Sequence, residues 1–118
     1  MFNLNQFNSD KKIVFDKNLI TKEIIDHKTD GNFAIENKQL DDCFVLNDNK
    51  IEFSSPAYRF QLATTSKENF LQLYTPKNIP VIAIEPMTGI SNSFNNKVGL
   101  QVLKTKKKYS LVWEIKLL

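Results

Sequence analysis

The sequence predicts an all-β chain folded as an antiparallel β-sandwich, on three observations. In YSLVWEIKLL, residues 109–118, Tyr109, Leu111, Trp113, Ile115 and Leu117 share one parity while Ser110, Glu114 and Lys116 take the other. That is the two-residue period of a strand with one buried face. YRFQLATT, residues 58–65, repeats it, with Tyr58, Phe60 and Leu62 on one side and Arg59 and Gln61 on the other. No window sustains the i, i+3, i+4, i+7 apolar stripe of an amphipathic helix.

From the N-terminus, the shorter runs KKIVFD, NFAIEN, DCFVL, KIEF, FLQLYTP, PVIAIE and KVGLQVL read as strands. The pieces NDNK, SSP, TSKEN, PKN and TGISNSFNN separate them and are rich in turn formers. Residues 20–37 are the most polar and least regular stretch and read as a long loop, in which TKEIIDHK is compatible with a single helical turn. Nine phenylalanines supply much of the expected core, and the parity of Trp113 places it there too. Without an internal repeat or linker, residues 1–118 form one domain.

Composition narrows the class. A chain of 118 residues buries about two-thirds of its unfolded surface, and 42% apolar with 25% charged residues is the balance of a soluble globular protein. No apolar run reaches the roughly 20 residues of a membrane helix. The start, MFNLNQFNSDKK, lacks the basic-then-apolar pattern of a signal peptide. The expectation is a chain with no membrane partner, cytoplasmic by default. Cys43 is the only cysteine, so no intramolecular disulfide forms, which fits a reducing compartment. The net charge is +3 and the pI about 9.0. The one dense basic run, KTKKK at residues 104–108, reads as a solvated turn rather than a nucleic-acid patch, because no aromatic stacking pattern accompanies it. No nucleic-acid partner is expected.

Of catalytic patterns, the sequence has no Gly-rich phosphate loop, no Cys/His cluster and no G-x-S-x-G elbow, so neither metal nor cofactor is expected. The only histidine, His27, lies in the polar stretch IIDHKTDG and reads as solvent-exposed. Glu85 stands out instead. In PVIAIE, Val81, Ala83 and Glu85 point one way and Ile82 and Ile84 the other, so both faces are apolar up to the last position. Such a strand is expected in the interior of a sheet, with Pro86 ending its pairing and the carboxylate opening into a cleft at the rim. Apolar neighbours disfavour a charged carboxylate and so suit it to general-base work. Periodicity alone equally allows Glu85 to mark where the strand leaves the core.

The residues IAIEPMTGISNSFNN, then GLQVL and a closing strand with W-x-I, resemble the C-terminal part of the aldose 1-epimerase (galactose mutarotase-like) family. Upstream, LQLYTP is similar to the family's preceding strand, and QLDDCFVL to its L-D-x-x-F segment. The resemblance implies part of a β-supersandwich, with Glu85 as the base that takes the O1 proton of a cyclic aldose. Asp41, in preference to Asp42, would contact a sugar hydroxyl, and Asn96 in the following polar loop would be a further sugar contact. The implied ligand is a hexose such as galactose or glucose. The family's acid, a histidine in an H-P-Y-F-like segment, is not in this sequence, nor are its second histidine and its arginine. The resemblance therefore implies a C-terminal piece, with MFNL just downstream of the histidine segment, active only when completed by an N-terminal half on another chain or by self-association. The alternatives are a sugar-binding sandwich without catalysis, with Tyr74 or Phe94 as its aromatic, and an inert interaction module. Arg59 is most simply a solvent-face residue, and Asn92, Asn95 and Asn96 are good turn formers in their own right.

Overall fold

The computed structural model describes residues 2–29, 31–35 and 39–118. They form two antiparallel five-stranded sheets that pack as a sandwich, as expected from the alternation. Ten strands run in the order β1 (Asn3–Asn5), β2 (Ser9–Phe15), β3 (Thr21–Thr29), β4 (Asn32–Ala34), β5 (Asp41–Leu46), β6 (Lys50–Ser54), β7 (Arg59–Thr64), β8 (Phe70–Tyr74), β9 (Ala83–Met87) and, after the short helix α1 (Ser93–Asn96), β10 (Trp113–Leu117). The first sheet has the order β10-β7-β6-β1-β4 and the second β3-β2-β5-β8-β9.

The main core lies between the sheets. It gathers Leu4, Phe7, Phe44, Ile51, Phe53, Leu71 and Leu73, with Phe44 edge-on to Phe7 at 5.1 Å between ring centroids. Successive strand residues face opposite ways, so Leu71 and Leu73 point inward from β8 while Phe70, Gln72 and Tyr74 point outward. In β5, Phe44 points inward and Asp41, Cys43 and Val45 outward. The outer face of the second sheet is therefore also apolar at one end, where a smaller cluster forms around Ile13, Cys43, Phe70 and Ile90, joined by Phe15, Val45, Met87 and Val98. The chain after β9 folds back across the sheet to cover it, bringing Ile90 and Val98 with it.

That fold-back depends on Gly99. Its φ is +73°, and a Cβ there would run into the Thr88 carbonyl oxygen and the Gly89 Cα, both backbone atoms that cannot swing away. KVGLQVL consequently forms no strand, because Lys97 and Gly99 both take positive φ and break the extended run expected there.

Four other expectations change. Residues 21–29 form a nine-residue strand on β2, not a loop or a helical turn; the strand is exposed along its length, so it carries no alternation to read, and pairing with β2 overrides local propensity. Among the described residues β9 pairs only with β8 and is an edge strand rather than an interior one, with Pro86 inside it opposite Leu71. An edge is where a strand tolerates a residue without an N–H. β10 keeps its predicted parity but is exposed throughout, with Trp113 at 48% instead of in the core. The sheets part at this side, leaving a cleft of about 320 Å³ lined by Ile51, Leu62, Leu71, Ile84, Trp113 and Ile115. Near the N-terminus Asn3–Asn5 forms a strand, β1, whose three residues were too few to signal. Met1, and Glu36 and Asn37 at the end of NFAIEN, lie outside the described residues.

A Gly99→Ala substitution is expected to cost about 3 kcal/mol, from a disfavoured φ plus a backbone clash. Gly31→Ala, at the same φ but with nothing within 4 Å, is expected to cost about 1 kcal/mol. Urea midpoints of the two variants check the difference; equal midpoints would remove the close approach from the account.

Candidate functional site

Where the apolar cover on the second sheet stops, the outward side chains become polar. Across the sheet Glu85 of β9 lies beside Gln72 of β8, which lies beside Cys43 of β5, and one pair further along Tyr74 lies beside Asp41. Asp41, Gln72, Tyr74 and Glu85 thus share one face and line a single open cavity of about 300 Å³, with Phe15, Leu19, Cys43, Met87 and Ser91 completing its walls. Asp41 and Glu85, 44 positions apart in sequence, are brought onto one site by β8 running between them. They stand on strands two spacings apart, about 9.6 Å across the sheet, and two residues, about 6.8 Å, apart along it, so their Cα positions lie roughly 12 Å apart, which leaves room for a small polar ligand between the carboxylates.

The walls are tied together. The β2–β3 hairpin turns on Asp16, whose Oδ1 accepts from the N–H groups of Asn18 and Ile20 at 2.8 and 3.1 Å, and this lifts Leu19 to the rim. Thr21, just beyond, donates its N–H to Ser91 Oγ at 3.0 Å, and the two hydroxyls meet at 2.7 Å. The hairpin and the loop after β9 are thereby clamped on either side of the opening.

Within the cavity the two carboxylates differ. Gln72 Nε2 donates to Asp41 Oδ1 at 2.8 Å, holding that side chain in place. Glu85 is exposed and makes no hydrogen bond or ion pair with the described residues. It sits mid-strand rather than at a strand end, in open contact with water rather than in an apolar setting. Cys43, by contrast, forms the cavity floor and is fully buried. Burial pushes its thiol up to about 12 from an ordinary 9.0, so near neutral pH it is a small apolar side chain and not a nucleophile.

Other expected residues lie elsewhere. Asn96, in α1, donates its Nδ2 to the Ser91 carbonyl at 2.9 Å and accepts from the Val98 N–H at 2.9 Å; both ends of its amide organise the loop, and it does not line the cavity. Asp42 faces the opposite way, in an ion pair with Lys12. His27 is exposed and lies edge-on to Phe44, an inward residue, and so belongs to the other face of the sheet from Glu85. Phe94 is 81% exposed and away from the cavity. Gln72 was not anticipated, although the alternation in FLQLY already puts it beside Tyr74 and opposite Leu71 and Leu73. The lysines of residues 104–108 form an exposed turn, and Arg59 is exposed, paired with Glu52 at 3.2 Å.

A larger polar recess of about 680 Å³ lies on the first sheet among Asn5, Gln6, Asn8, Asp48, Glu52 and Arg59. Its acceptors are already engaged: Gln6 Nε2 donates to Glu52 at 3.1 Å, and Asn8 Nδ2 to Asp48 at 2.8 Å. The free carboxylate of Glu85 makes the smaller cavity the stronger candidate. Among the described residues no group of three or more His, Cys, Asp or Glu is arranged to hold a metal ion, and no helix is long and apolar enough to cross a membrane. Comparison with family models, with curated proteins and with solved structures finds no match to this chain.

The buried thiol yields a pH prediction. Between pH 9.0 and about 12 the unfolded chain releases the Cys43 proton while the folded chain retains it, so stability falls as pH rises through that window. Urea titrations are expected to show a smaller alkaline loss for Cys43→Ala than for the wild type; parallel losses would contradict it.

Proposed function

We propose that the cavity on the second sheet binds a cyclic aldose, and that Glu85 is the base in interconverting its anomers. The observation that supports this reading most is the convergence of Asp41 and Glu85 with Gln72 and Tyr74 on one open face. Alternating carboxylate, amide and phenol groups suit a ligand whose rim is a ring of hydroxyls. Asp41, fixed by Gln72, would accept from a sugar hydroxyl. Tyr74, 41% exposed, offers a ring face for the sugar's C–H surface and a phenol for a hydroxyl.

The chemistry is a proton exchange. Glu85 takes the proton from the O1 hydroxyl as the ring C1–O5 bond breaks and O5 gains a proton, giving the open-chain aldehyde; rotation about C1–C2 and the reverse steps then close the other anomer. The base must be unengaged and reach the ligand, as Glu85 is. The acid for O5 would come from a second polypeptide, either an N-terminal half on another chain or another copy of this one, because His27 lies on the opposite face of the sheet. That placement is also the specific observation favouring a second reading, a sugar-binding sandwich without catalysis.

Polarimetry of freshly dissolved α-D-galactose and α-D-glucose separates the two. Where a second copy supplies the acid, the first reading predicts that the chain by itself speeds mutarotation and that Glu85→Gln, an isosteric change at an exposed site, lowers the gain by about 10²–10⁴-fold, the usual contribution of a positioned base. Sugar binding at the spontaneous rate would overturn completion by a second copy, leaving the second reading or an acid on a different chain, and failure to bind either sugar would overturn both.

A further inference from the structure

The four sheet edges are not alike. An unpaired strand edge is a template for another strand, and proteins blunt it by shortness, charge or proline. β4 is three residues long; β3 carries Lys22, Glu23, Asp26 and Lys28; β9 has Pro86 in its middle. β10, Trp113–Leu117, is longer than β4 and has no proline, and its two charges, Glu114 and Lys116, are of opposite sign and so do not repel a second copy of the same strand. Its residues Ile115 and Leu117 are 72% and 77% exposed, a heavy exposure for apolar side chains on an ordered strand.

The backbone of β10 is set for another partner. Val112 accepts from the Thr65 N–H at 3.1 Å and Leu118 donates to the Arg59 carbonyl at 3.0 Å. Even-numbered residues of this stretch therefore turn their backbone groups toward β7, and Trp113, Ile115 and Leu117 turn theirs to the open edge. The sequence W-E-I-K-L is also self-complementary about its centre. Placed antiparallel to itself with Ile115 opposite Ile115, it sets Trp113 opposite Leu117 and Glu114 opposite Lys116, each pair twice. The odd-numbered pairs are the hydrogen-bonded ones, so the donors and acceptors at the open edge are satisfied. The charge pairs fall at the non-hydrogen-bonded positions, where side chains come closest. Sliding one strand by two residues, the smallest slide that keeps odd-numbered residues opposite one another, brings Glu114 opposite Glu114 or Lys116 opposite Lys116, so like charges oppose the nearest registers of the same hydrogen-bond pattern. Neither Glu114 nor Lys116 forms an ion pair with the described residues.

We propose that the partner of β10 is a second copy of this chain, joined across a two-fold axis through Ile115 to make one continuous ten-stranded sheet. Such an interface is isologous, the same patch on both subunits, and it covers the apolar row that the parted sheets leave open.

Sedimentation velocity over a concentration series tests it. The wild type is expected to be a dimer. Glu114→Lys and Lys116→Glu are each expected to weaken the dimer at least about tenfold, because each variant turns both symmetric charge pairs repulsive. The double variant Glu114→Lys/Lys116→Glu restores opposite charges and should restore the dimer. Ile115→Pro removes an N–H that faces the open edge, not β7, and should give a folded monomer by circular dichroism. A monomeric wild type at every concentration, or a dimer indifferent to the single reversals, would overturn the proposal; so would a double variant that stays monomeric.

Discussion

The structure depends on β5 and β8 being apolar on both faces. Phe44, Leu71 and Leu73 face the first sheet, while Cys43 and Phe70 face the other way. A sheet of that kind is stable only when covered on both sides. The first sheet covers one side. The other is covered by a fold-back of the chain itself, made possible by Gly99 passing against the backbone of Thr88 and Gly89. Because this cover ends before the sheet does, the uncovered rows are polar, and the boundary between apolar cover and polar rows is the cavity holding Asp41 and Glu85.

The same economy of covering explains the open side. β9 and β10 face each other across a cleft lined by Ile84, Pro86, Trp113 and Ile115, and no further strand closes it among the described residues. Pro86 blocks pairing on one rim, whereas β10 leaves its backbone and its apolar row available on the other. A free carboxylate on one face and an unprotected edge elsewhere are different kinds of incompleteness. The first suits a small polar ligand and the second a strand.

Much of this was legible in the sequence and some was not, for identifiable reasons. Alternation identified β7 because one of its faces packs against the core, and it correctly paired the parity of Ile115 with that of Trp113; β5 and β8, apolar on both faces, showed instead as short apolar runs bounded by turn formers. It could not report how deeply those residues are buried, since burial depends on what the opposing sheet supplies. β3 was hidden because an exposed strand has no buried apolar face to set against its polar one. Two runs of similar appearance, KVGLQVL and PVIAIE, diverged because Gly99 and Lys97 take positive φ in the first, while the second found a neighbour in β8. Pro86 was read as a stop when its more informative meaning was an edge. For the site, the grouping of Asp41 with Glu85 follows from β8 lying between β5 and β9, an order no local pattern encodes. Asn96 was set apart by the loop conformation that consumes its amide.

The most direct test of the central claim, that the outer face of the second sheet is the ligand face, is a titration of the isotope-labelled chain with galactose, followed residue by residue through backbone amide resonances. The account predicts that shifts concentrate at Asp41, Gln72, Tyr74, Glu85 and Ser91 and spare the first sheet. Shifts centred on Asn8, Asp48 and Glu52, or none at millimolar sugar, would contradict it.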